Sequence, residues 1–144
     1  MDTMNLTNIA KTGSYEISVN VSNNIAFITF FGVWDRTSQL EYYLEDIVIA
    51  LNKLTPGFNI IIDLSFYKGT TSEYIQLHVD AQNLTLKAGL NKTAVILRNN
   101  PMLKVTTDYI LNKSGIKATY FKSISAALRW VSLLDNQQAA KSKS

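Results

Sequence analysis

Residues 15–31 read YEISVNVSNNIAFITFF and contain two strand patterns joined by a turn. In the first pattern, apolar residues at 15, 17, 19 and 21 alternate with polar ones, which is the period of a half-buried strand. The polar residues 22–24 favour a tight hairpin turn, because asparagine tolerates a positive φ. The run from Ile25 to Phe31 is apolar on both faces, which is typical of a central strand. The segment therefore predicts an antiparallel hairpin whose second strand lies inside a sheet.

Downstream of this hairpin, helical and strand patterns alternate. Apolar residues at spacings of three and four predict a helix from Arg36 to Leu54. The later elements predicted are strand 58–64, helix 70–88 with a Thr70–Glu73 capping box, strand 93–97, helix 100–115 with Asn100 as N-cap, strand 118–121 and helix 123–134. The order β-β-α-β-α-β-α-β-α predicts an α/β fold, in which helices pack on a mixed sheet and right-handed crossovers join its parallel strands.

The composition is that of one globular domain. The chain has 144 residues, of which 47% are hydrophobic and 17% charged. We assign residues 1–13 to an N-terminal extension, 14–135 to a single domain and 136–144 to a disordered tail. The chain has no cysteine, and none of its six glycines has a dinucleotide or P-loop spacing, so we expect no cofactor and no metal. Because no signal-peptide pattern opens the sequence, we expect a cytoplasmic protein.

The net charge of +3 conceals an asymmetry along the chain. Residues 1–84 carry four Lys/Arg and nine Asp/Glu (−5), whereas residues 85–144 carry ten and two (+8). The basic half lacks the interleaved aromatic residues of single-strand binders and has no recognition-helix signature, so we predict no nucleic-acid partner. Peripheral contact with an anionic membrane is left open, because basic residues flank apolar ones such as Met102 and Val105.

A ligand site is expected beyond the carboxyl ends of the parallel strands, where helix N-termini offer unpaired N–H groups. Arg36, Lys68, Arg98 and Lys122 follow four of the predicted strands and would converge there on an anionic group. The aromatic residues in these loops either line an apolar pocket or belong to the core, and both interpretations stay open. The predicted ligand-binding residues are Trp34, Arg36, Phe66, Tyr67, Lys68, Tyr74 and Arg98.

Two side chains, Asp63 and His78, are candidates for catalysis. Asp63 is the one carboxylate in an apolar strand, and it has no second acid or histidine at a recognisable spacing. We expect it to accept backbone hydrogen bonds near the end of its strand. His78 has no partner for metal binding and is predicted to be a partly buried structural residue. No catalytic residue is predicted, and we do not expect an enzyme.

The order of the elements, and the residues at their turns and boundaries, resemble those of SpoIIAA-like proteins of the STAS/SEC14-like group. The resemblance rests on residues 32–34 (GVW), 53–58 (KLTPGF), 63–65 (DLS), 88–90 (AGL), 113–115 (KSG) and 121–130 (FKSISAALRW). It implies a compact α/β domain, usually without enzymatic activity. In STAS domains a serine after the third strand is phosphorylated during partner switching, whereas SEC14-like relatives bind lipids. The corresponding turn is Thr71-Ser72-Glu73, which lacks the aspartate and glycine of the STAS motif, and Ser72 and Thr71 are the candidate phosphoacceptors.

These observations favour a non-enzymatic, SpoIIAA-like regulatory or binding domain. We expect its ligand to be a lipid or another small amphipathic molecule, held at the rim of the strand ends. The alternative is a STAS-type interaction module that phosphorylation switches and that binds a regulatory protein partner. A homodimer is also left open.

Overall fold

A mixed six-stranded sheet, whose strands lie side by side in chain order, organises the molecule. The computed structural model describes residues 5–35 and 37–132. The first three strands pair antiparallel, and the third to sixth pair parallel. The mixed sheet and its N-terminal hairpin confirm the predicted fold class. The strands are β1 (Thr7–Lys11), β2 (Tyr15–Asn20), β3 (Ile25–Trp34), β4 (Asn59–Thr70), β5 (Thr93–Ile96) and β6 (Ala118–Phe121).

The helices cover both faces of this sheet unequally. Each crossover between neighbouring parallel strands runs in the same direction across the sheet, so right-handed crossovers place their helices on one face. There α1 (Thr37–Leu40), α2 (Tyr43–Asn52), α3 (Ile75–Lys87) and α4 (Pro101–Ser114) enclose the larger core. The helix formed by residues 124–132, here α5, lies on the opposite face, where Ala127 and Val131 pack against Ile61 and Ala94.

Three elements differ from their predicted extent. β1 lies within the segment assigned to an extension and pairs with β2; its sequence TNIAK has no strong alternation, because the edge of the sheet leaves this strand largely exposed. The helix predicted from Arg36 to Leu54 is interrupted by a turn at Glu41 and Tyr42, which separates α1 from α2. β4 runs on to Thr70. Arg36, the predicted helix end at Leu134 and the predicted tail lie outside the described residues.

The extension of β4 depends on two irregularities in its pairing with β3. Thr29 pairs with Asp63 and Phe31 with Phe66, so β4 contains one extra residue between these pairs; a second register shift precedes Gly69. The first bulge shifts the alternation of side chains by one, so that Tyr67 rather than Phe66 points into the larger core. β5 pairs with β4 only as far as Asp63. Beyond that point, residues 31–34 and 66–70 form a two-stranded ribbon.

Candidate functional site

The sheet has no topological switch point, because its strands follow chain order without reversal. The crevice that such a reversal creates in other α/β proteins is therefore missing from the described sheet. A cleft of about 340 Å³ instead lies beyond the carboxyl ends of β5 and β6, at the N-terminus of α4. This strand-end cleft is lined by Leu97, Asn99, Asn100, Pro101, Lys104, Tyr120, Phe121 and Lys122.

Hydrogen bonds between two loops fix the walls of the cleft. The Leu97 N–H donates to the Phe121 carbonyl at 2.9 Å, and Arg98 Nε donates to the Lys122 carbonyl at 3.0 Å. Arg98 therefore joins the loop after β5 to the loop after β6, and its Nε is already committed to this contact.

The N-terminus of α4 forms the third wall. Asn100 Oδ1 accepts a hydrogen bond from the Leu103 N–H at 3.0 Å, and Pro101 begins the helix, which confirms the predicted N-cap. The preceding residue, Asn99, has a φ of 36°, a left-handed conformation that asparagine tolerates better than most residues. The cap therefore fixes the first turn of α4 at the edge of the cleft.

The charges around the cleft are predominantly basic. Lys104 Nζ lies 2.9 Å from an Asp108 carboxylate oxygen and 4.8 Å from the centre of the Tyr120 ring. The Tyr120 hydroxyl donates a hydrogen bond to the same carboxylate, which together with Lys104 lowers the pKa of Asp108. Burial, followed by Asp108, raises the pKa of Tyr120. The one acidic side chain is thus fully engaged, whereas Lys122 is exposed.

Two aromatic residues of the β3–β4 ribbon, Trp34 and Tyr67, are in the core. Trp34 is fully buried, and its Nε1 donates to the Ser14 carbonyl at 2.9 Å. Its ring stacks on His78 with 4.1 Å between centroids, and the Tyr67 hydroxyl lies 2.9 Å from His78 Nε2. Burial lowers the pKa of His78 to about 3, so the imidazole is neutral at physiological pH. For Trp34, Tyr67 and His78 the core interpretation therefore holds.

The other predicted ligand-binding residues are scattered. Phe66 is 61% exposed and stacks on Phe31, Lys68 is exposed, and Tyr74 is half-buried against the larger core. Arg36 lies outside the described residues. Of the predicted set, Arg98 is the residue that borders the strand-end cleft. Lys104 and Tyr120 are not among the predicted ligand-binding residues, because they come together only through Asp108.

The predicted phosphoacceptors follow β4 directly. The Thr71 N–H and hydroxyl both donate to the Trp34 carbonyl, at 3.1 and 3.3 Å, so Thr71 anchors the end of the ribbon. Ser72 is exposed and begins a single 3₁₀ turn that leads into α3. The capping box predicted for Thr70 and Glu73 is wrong, because the Thr70 hydroxyl donates to the Thr71 carbonyl instead. Asp63 accepts the predicted backbone hydrogen bond, from the Ser65 N–H at 2.9 Å, and so satisfies an amide at the first bulge. It does not lie at the end of its strand as expected, because β4 continues to Thr70.

Two small cavities lie between the sheet and its helices, one beneath α3 and α4 and the other beneath α2 and α3. Each has a volume of about 30 Å³, and both are lined by His78 and Gln82. Thr93 Oγ1, on the wall of one cavity, is buried without a hydrogen-bond partner among the described residues. Each cavity has room for water rather than for an organic ligand.

Across residues 5–35 and 37–132, none of the helices is long and apolar enough to span a bilayer. Within the same residues, no three His, Cys, Asp or Glu side chains are grouped so as to hold a metal ion.

The architecture is a SpoIIAA-like fold. The chain is similar to a solved structure described as an uncharacterized protein of the DUF3478 family with a SpoIIAA-like fold, from Shewanella loihica PV-4. The TM-score is 0.56 at 17% identity, and the match covers 84% of this chain and 96% of the other. No family model matches the chain, and no curated protein does so either. The likeness confirms the expected fold.

Proposed function

We propose that the protein is a non-enzymatic binding module that holds a small amphipathic anion in the strand-end cleft. The observation that carries this proposal is the combination of an apolar floor with two amino groups at the N-terminus of α4. Leu97, Pro101 and Phe121 offer apolar surface to a short hydrocarbon tail. Lys104 and Lys122 attract an anionic head, and the positive end of the helix dipole adds to their effect.

The size of the cleft fits this class of ligand. A volume of about 340 Å³ lies at the lower end of the range for small-molecule sites. Asp108 holds Lys104 in place, and the amino group of the same side chain lies over the ring of Tyr120. Lys104 is therefore positioned before the ligand arrives, which reduces the entropy lost on binding.

The proposed role is non-enzymatic because neither His78 nor Asp63 is available for catalysis. His78 is neutral, buried and in contact with Tyr67 and Trp34, and Asp63 is bonded to a backbone amide. Neither of them lines the strand-end cleft. A binding role needs no group there to move a proton.

A titration with dodecanoate, followed by calorimetry, tests the proposal. Dodecanol lacks the charge and acetate lacks the tail, so both should bind at least about tenfold more weakly, a difference of about 1.4 kcal/mol. Lys122→Gln should weaken dodecanoate binding about fivefold, whereas the exposed Lys68→Gln, outside the cleft, should not change it. Equal binding to both lysine variants, or no binding of dodecanoate, would contradict the proposal.

The second candidate is an interaction module switched by phosphorylation. It is favoured by the exposure of Ser72, which begins a turn directly after the anchored Thr71. A phosphate there would stand at the start of a helical segment, where its charge is favourable. Incubation with a cell lysate and ATP, followed by phosphopeptide mapping, should place phosphate on Ser72 rather than on Thr71. Phosphate on neither residue would count against the switch.

A further inference from the structure

The layer formed by α2, α3 and α4 carries an unusual share of exposed apolar side chains. Seven of the twelve large hydrophobic residues that are exposed in the described part of the chain belong to these helices or border them. Apolar exposure concentrated on one face marks an interaction surface more often than scattered exposure does. The seven are Tyr42, Val48, Ile49, Leu86, Met102, Val105 and Tyr109.

The outer face of α2 is apolar and acidic. Its inner face is defined by the buried Tyr43, Ile47 and Ala50. With about 100° between successive residues, Glu45 projects on the opposite side, and Val48 and Ile49 flank it. Residues 41–52 contain three acidic side chains and no basic one.

The outer face of α4 is apolar and basic. Val105 projects opposite the buried Leu103, Ile110 and Leu111, and Met102 is 82% exposed beside it. Lys113 Nζ lies 5.4 Å from the centre of the Tyr109 ring on the same side of the helix. The one acidic residue of α4, Asp108, pairs with Lys104 and accepts a hydrogen bond from Tyr120, so Lys113 carries the net positive charge of this helix. The outer faces of α2 and α4 are therefore alike in apolar character and opposite in charge.

The position of α3 between α2 and α4 determines how a second copy can pair the two outer faces. α3 packs against α2 on one side and α4 on the other, and all three helices run antiparallel to the parallel strands. A second copy rotated by 180° about an axis along α3 places each α2 over the partner's α4. An axis across the helices would instead place α2 on α2, acid against acid. Charge complementarity selects the first axis.

We infer that the chain forms a two-fold symmetric dimer, in which the acidic apolar face of α2 meets the basic apolar face of α4 from a second copy. The contact occurs twice, as in any isologous interface. Along their helices, Val105 lies about 14 Å and Glu45 about 10 Å from the C-terminal end, at 1.5 Å per residue.

Charge reversal at the centre of this interface provides the test, read by sedimentation velocity over a wide range of protein concentrations. Val105→Asp places a carboxylate against the partner's acidic face and should raise the dimer dissociation constant at least about tenfold, which corresponds to about 1.4 kcal/mol. Val105→Lys removes the same apolar contact but places a base there, so its effect should be smaller. Adding Glu45→Lys to Val105→Asp should restore dimerisation. Because Val105 is exposed, these variants should keep the thermal stability of the parent chain.

Arg129→Glu, on α5 across the sheet, is the matched control and should leave the dimer unchanged. A chain that stays monomeric at every concentration would overturn the inference, and so would equal effects of Val105→Asp and Val105→Lys. A sedimentation coefficient that keeps rising with protein concentration would show head-to-tail contacts in place of a closed dimer. Binding of the monomer to anionic vesicles, lost in Val105→Asp, would assign the α4 face to a membrane. These outcomes are independent of dodecanoate binding, so this inference and the proposed function can fail separately.

Discussion

The β3–β4 ribbon and the strand-end cleft both lie where parallel strands end, yet one is closed and the other open. At the ribbon, β4 continues beyond β5, and its first bulge directs Tyr67 into the core beside Trp34 and His78. At the cleft, β5 and β6 end together, and two loops and the start of α4 diverge around an unfilled volume. A strand end of this sheet therefore stays open only where the neighbouring backbone leaves space.

The largest expected effect concerns the closed region. Trp34→Ala should reduce the free energy of unfolding by about 3–5 kcal/mol, because it leaves a cavity among Tyr15, Phe30 and Tyr43 and removes the bond to the Ser14 carbonyl. Chemical denaturation measures this change. Phe66→Ala, on the exposed side of the same ribbon, is the control and should cost less than about 1 kcal/mol. Similar losses for both variants would mean that the ribbon is not divided into a core side and an exposed side.

The next effect is a pH dependence of stability that arises from His78. Its pKa falls from the ordinary 6.5 to about 3 on folding, so below pH 6.5 the unfolded state takes up a proton that the folded state does not. Stability is therefore lost as the pH falls from 6.5 towards 3, by about 2 kcal/mol between pH 7 and pH 5. Denaturation at several pH values measures the slope. Since the chain has a single histidine, His78→Gln should remove that slope, and an unchanged slope in the variant would refute the assignment.

A smaller effect concerns the open region. Asn100→Ala removes the acceptor for the Leu103 N–H and should cost about 1 kcal/mol of stability. Because the same residue lines the cleft, dodecanoate affinity should fall as well. The matched variant Asn99→Gly keeps the positive φ without strain and should retain the stability of the parent chain. If Asn100→Ala kept the affinity of the parent chain, the first turn of α4 would not form a wall of the site.

Much of the fold follows from local patterns in the sequence. The hairpin, β5, β6 and the Asn100–Pro101 start of α4 were predicted because each depends on residues close to one another in the chain. The bulges of β4 were not predictable, because they depend on pairing with β3, which is more than thirty residues away. For the same reason the sequence left open whether Trp34 and Tyr67 line a pocket or the core. Lys104 joins the cleft only through its contacts with Asp108 and Tyr120, and no local pattern signals such a group.

The most direct test of ligand binding at the strand ends is a titration of the isotope-labelled protein with dodecanoate, followed through its backbone amide NMR signals. The largest shifts are expected at residues 97–104 and 120–122, around the strand-end cleft, with little change at residues 31–34 and 66–70 of the ribbon. Shifts centred on the ribbon, or none at saturating dodecanoate, would contradict the division between a closed and an open strand end.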